Sequence, residues 1–115
     1  MKAAMGPRPS VRAAVGPDYP ALLHAFLVRH QGRWLLFFEL FNEGSKRGEI
    51  ALAESSDLIS WSYKGIVLAE PFHLSYPFVF EFKGDYYMIP ESRAAHEVRL
   101  YKARSFPTDW NLEKT

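Results

Sequence analysis

Seven side chains in this sequence are candidates to contact a ligand: Glu39, His73, Ser75, Tyr76, Glu81, Glu91 and Ser92. Carboxylates, imidazoles and hydroxyls exchange hydrogen bonds with polar groups, and an aromatic ring stacks on an apolar face. Other chemistries lack their residues. The chain has no cysteine, which excludes a disulfide framework and a thiolate zinc site. His24, His30, His73 and His96 are scattered, without the short spacing of a metal site. The glycines are isolated rather than gathered into a phosphate loop, and no serine stands in a nucleophile-elbow context. No cofactor and no metal are expected.

The elements that must position these residues come from an internal similarity. Phe26 to Glu39, FLVRHQGRWLLFFE, lies over Phe78 to Glu91, FVFEFKGDYYMIPE, without a gap at an offset of 52 residues. Phe26 falls on Phe78, Gly32 on Gly84, Trp34 on Tyr86 and Glu39 on Glu91. Both copies read as strand, tight turn, strand. Gly32 and Gly84 sit where a short hairpin loop needs positive φ, which glycine adopts at little cost. Glu49-Ile50-Ala51-Leu52 and Glu97-Val98-Arg99-Leu100 predict a third strand in each copy. A fourth follows from Trp61 to Leu68 and from Trp110 to Lys114.

Four short strands repeating at this spacing predict all-β, antiparallel, four-stranded propeller blades. A β-sandwich also supplies eight strands, but it does not predict an ungapped repeat. Blades bury both faces against their neighbours, and large flat side chains fill the wedge between them. That explains an aromatic content of 16% in a chain of 115 residues. Trp34, Phe37, Phe38, Tyr86 and Tyr87 are therefore expected in the core. The boundaries are a flexible leader over 1–23, blade one over about 24–70 and blade two over about 71–115. The leader holds Pro7, Pro9, Pro17 and Pro20 and a single aromatic, Tyr19.

Charge sets further limits. A net charge of +1 gives neither a nucleic-acid footprint nor a polybasic membrane patch. No apolar run has the length of a membrane span, and no signal-peptide core is visible. The expectation is a cytoplasmic protein that binds no nucleic acid.

The segments FLVRHQGRWLLFFE, GEIALAESSDLISW, EPFHLSYPFVFEFKGDYYMIPES and EVRLYKARSFPTDW resemble the five-bladed propellers of arabinanase- and levansucrase-type proteins. More narrowly, they resemble the amino-terminal propeller of plant glucosamine inositolphosphorylceramide transferases and their bacterial relatives. The resemblance implies a partial β-propeller, two blades of five, and hence a fragment, a truncated product or a relic. It also implies a linked or associated transferase domain as partner, and a saccharide or glycolipid headgroup as ligand.

The resemblance further implies where catalytic acids would stand, and they are missing. The sugar-active enzymes of that superfamily carry an aspartate at the start of the first blade, where this chain reads His24-Ala25-Phe26. The position of a second aspartate reads Phe78, and the general acid comes from a later blade. Glycoside hydrolysis normally needs two carboxylates flanking the bond. This chain alone is therefore expected to be non-catalytic, although its parent family is glycosyltransferase- or glycosidase-related.

Two readings of the seven residues stay open. His73-Leu74-Ser75-Tyr76 is the least repeat-like stretch and reads as an inter-blade loop at the propeller mouth. It contacts a ligand, or it is a connector with a buried tyrosine and a bonded histidine. Glu39 and Glu91, at one repeat position, bind a turn backbone, or Glu91-Ser92 meets sugar hydroxyls. Glu81 lines the channel, or it is the outward position of an alternating strand.

Overall fold

The computed structural model describes residues 25–115. The expected leader and His24 lie outside them. Eight strands follow in order: β1 Ala25–His30, β2 Arg33–Asn42, β3 Arg47–Ser55, β4 Ser62–Leu68, β5 Ser75–Phe82, β6 Asp85–Glu91, β7 Leu100–Ser105 and β8 Asp109–Lys114. They form two antiparallel four-stranded sheets, ordered β1-β2-β3-β4 and β5-β6-β7-β8. This is the all-β arrangement of two propeller blades.

The two first hairpins are built alike. His30 pairs with Arg33 and Phe82 with Asp85, leaving two-residue loops. Gln31 and Gly32 have φ of 51° and 77°, and Lys83 and Gly84 have 53° and 85°. Two consecutive positive φ values mark the type I′ turn, whose twist matches that of the flanking strands. Register also corresponds further out in the sheets. Leu36 pairs with Ala53, and the equivalent Met88 pairs with Tyr101.

Each sheet has a front and a back, because side chains alternate across a strand. Leu35, Phe37, Ile50 and Leu52 from the front of blade one pack with Val79, Met88, Tyr101 and Trp110 from the back of blade two. Leu74, fully buried, joins this core from the connector between the blades. The back of blade one forms a second cluster of Leu36, Phe38, Leu40, Ala51 and Ala53, flanked by Trp61 and Tyr63. The front of blade two is open: Phe78 is 50% exposed and stacks on Phe80, which stacks on Tyr87.

That asymmetry corrects part of the core expectation. Phe37 and Phe38 are buried and Tyr86 is half-buried against the shared core, whereas Tyr87 is half-buried on the open front and Trp34 is half-buried. Tyr87 occupies the blade-two position equivalent to buried Leu35, but it lies on the open front. The third strand of blade two is also displaced. It starts at Leu100, not Glu97, because the chain first makes a 3-10 turn at Arg93–Ala95. Arg99 is then held outside the ladder. Its guanidinium donates to the Tyr101 hydroxyl at 2.9 Å and to the Glu97 carboxylate, and it lies 5.2 Å over the Phe72 ring.

Candidate functional site

Antiparallel order sends alternate connections to opposite ends of the blades. The turns 31–32, 56–61, 83–84 and 106–108 lie at one end; the connections 43–46, 69–74 and 92–99 lie at the other. The second end collects Glu39, His73, Ser75, Tyr76, Glu91 and Ser92. Glu81 is at the first end, exposed, and opposite Tyr86 in register. Burial raises the Tyr86 hydroxyl above its usual pKa, and the negative charge of Glu81 adds to this. The sequence could not separate Glu81 from the others, since both ends of a strand look alike in one dimension.

At the collecting end, the connector is pinned to blade one. Leu74 N–H donates to the Gly48 carbonyl at 3.0 Å, and Gly48 N–H donates to His73 Nδ1 at 2.9 Å. With Nδ1 accepting, the neutral ring carries its proton on Nε2, which lies 3.1 Å from Glu39 Oε2. Glycine at 48 is required by close approach. A Cβ there would stand 2.6 Å from both His73 Cε1 and the Leu74 carbonyl oxygen, and 2.8 Å from Glu39 Oε2. His73 and Glu39 thus form an inter-blade clamp.

The connector is held on its other side by blade two. The buried Tyr101 hydroxyl donates to Glu70 Oε2 at 2.6 Å. Burial, and next the hydrogen bond to Glu70, push the Tyr101 hydroxyl up to about 12. Arg99 Nη2 lies 3.8 Å from the same Glu70 oxygen.

Beyond the clamp the strands open. In blade one, β2 and β3 continue past Glu39 to Asn42 and Arg47 and close in a short hairpin. In blade two, β6 stops at Glu91. The chain then splays, and a cleft of about 530 Å³ forms, lined by His73, Ser75, Glu91, Ala94 and His96. Ser75 Oγ donates to Glu91 Oε1 at 2.9 Å, which orients the carboxylate. Ser75 faces Glu91 because a bulge interrupts the register between Ser75 and Phe78. Tyr76 sits in that bulge with φ of 46° and is half-exposed. It lines a second cleft of about 400 Å³ with Ile89, Pro90, Glu91, Ser92, Glu97 and Val98. Ser92 is buried, and its hydroxyl donates to the Glu97 carbonyl at 3.0 Å, so it shapes the loop.

Sequence reasoning missed His96, an exposed residue at positive φ on the rim of the first cleft. The signal was present in the spacing. The copies are offset by 52 residues through β6 but by 48 in the third strand, so the connection between them is where they diverge.

The arrangement can accept and donate hydrogen bonds and stack a ring. Among the described residues that line the first cleft, Glu91 is the one carboxylate. Glycosidic acid–base chemistry normally uses two.

Comparison with known proteins places this geometry. The chain is 46% identical over 90 residues to glucosamine inositolphosphorylceramide transferase 1 of Oryza sativa subsp. japonica, and 45% identical over 94 residues to that of Arabidopsis thaliana. These matches cover 77% and 81% of this chain but 12% of each relative. A solved glycoside hydrolase superposes with a TM-score of 0.64 at 18% identity, over 79% of this chain and 22% of that one, which shows a shared fold. The family model described as glucosamine inositolphosphorylceramide transferase 1, N-terminal, matches residues 13–115. This chain therefore belongs to the family of those amino-terminal domains.

Proposed function

We propose that this domain is a saccharide-recognition module without hydrolytic activity of its own, serving a linked or associated glycosyltransferase. The observation that carries the reading is the first cleft. It offers one oriented carboxylate, the His96 imidazole and a hydroxyl beside the bonded His73 ring, and Glu91 is the one acid among its described lining residues. Hydroxyl-rich ligands match such a set of acceptors and donors. A cleft of about 530 Å³ also falls within the size of small-molecule sites. The relatives are named as transferases, and the chain spans 12% of their length, which supports a role beside a catalytic domain.

Titration of the full chain with mono- and disaccharides, followed by NMR, tests the proposal. Shifts centred on His73, Ser75, Glu91 and His96 are expected, with no release of nitrophenol from aryl glycosides. Shifts elsewhere, or turnover of an aryl glycoside, would overturn it.

A further inference from the structure

We infer that the ligand straddles Glu91 and comprises at least two sugar units, one in each cleft; this rests on the saccharide reading above. Glu91 is a common wall of the two clefts. Their linings differ in balance. The first presents the Ser75 hydroxyl and His96 beside the bonded His73 ring, which suits a unit bound by its hydroxyls. The second adds the ring of Tyr76 with Ile89, Pro90 and Val98, which suit a C–H face, and carries Ser92 and Glu97 beside them.

The Glu91 carboxylate is placed to serve both units. Ser75 orients it through Oε1. The bulge that turns Ser75 toward Glu91 also places Tyr76 in the second cleft. Tyr76 takes a left-handed backbone conformation that a bulky side chain rarely adopts. Such outliers cluster at ligand sites, where the surrounding structure holds them in place. One local irregularity therefore builds both halves of the site. A single sugar occupies one lining or the other, whereas a disaccharide uses both.

The test compares glucose with cellobiose, and N-acetylglucosamine with its β-1,4-linked disaccharide, by calorimetric titration of the full chain. At least one disaccharide should bind about tenfold tighter than its own monosaccharide. Tyr76→Ala should erase that gain, and Tyr76→Phe should keep it. His96→Ala should weaken both members of the pair. The circular dichroism spectrum of each variant checks that it is folded. Equal affinity for both members of each pair, or a gain that survives Tyr76→Ala, overturns the straddling ligand and leaves the saccharide reading standing. Failure of all four sugars to bind overturns both.

Discussion

Glu39 and Glu91 occupy one position in two blades, and their surroundings have diverged. Glu39 is covered: His73, arriving from the connector to the next blade, meets its carboxylate and is itself held by Gly48. Glu91 is exposed, and its partner is Ser75 from the first strand of its own blade. The strands beyond them differ in the same sense. Blade one zips shut past Glu39, while blade two splays after Glu91 and leaves a cleft. Two blades of like strand order thus use one carboxylate as a clamp and present the other to solvent. The first hairpin of each blade, at the opposite end, shows no such divergence, since both close in two-residue type I′ turns.

The largest perturbation should come from the connector that makes the blades one unit. Leu74→Ala removes a fully buried side chain from the shared core and should cost about 2–5 kcal/mol. Urea denaturation measures it. A loss under about 1 kcal/mol would mean that the blades fold as separate units.

Next comes an ionisable group that blade two alone carries in its core. Tyr101 stands at the register position that Ala53 fills in blade one. Its folded-state pKa is raised from 10.0 to about 12. Below pH 10 both folded and unfolded chains keep the proton, and the contribution is fully present. Between pH 10 and 12 the unfolded phenol ionises first, so the stability falls by roughly 2–3 kcal/mol. Tyr101→Phe should be less stable at neutral pH and should lose less than the wild type across that window. Parallel losses in both proteins would assign the alkaline step elsewhere.

The two glutamates themselves should respond unequally. Glu39→Gln replaces the charged acceptor of the His73 clamp with a neutral one, at a cost of about 1 kcal/mol. Glu91→Gln, at an exposed site, should stay within about 0.5 kcal/mol and instead reduce saccharide affinity. Reversed stability effects would exchange the two roles.

The smallest effect should appear where the blades agree. Gln31→Asn and Lys83→Asn each place asparagine at a positive-φ position of a type I′ turn, and each should gain a few tenths of a kcal/mol, estimated at about 0.3. Unequal gains would show that the matching ends are less equivalent than their geometry.

Much of this was legible in the sequence, for physical reasons. Gly32 and Gly84 announced the turns because few other residues accept that conformation cheaply. The ungapped match from Phe26 to Glu39 carried the first two strands of each blade. The rest depended on contacts across the chain. Nothing near Gly48 says that His73, 25 residues on, will press against its backbone. The half-burial of Tyr87, against the full burial of Leu35, depends on which neighbour covers a face, and a repeat alone cannot supply that. The bulge at Tyr76 and the late start of β7 at Leu100 are local departures from the repeat, and averaging two copies hides them.

Gly48 also bears on how ready the cleft is before a ligand arrives. The spacing between the blades at that end is set by backbone touching backbone and the doubly bonded His73 ring. A wall built this way has little rotational freedom left to lose. His73, already bonded through both ring nitrogens, brings its edge of the cleft to the ligand in a fixed orientation. Ordering costs that weaken many binding surfaces are thereby met during folding, so affinity at this site should be governed by the exposed rim around His96 and Tyr76.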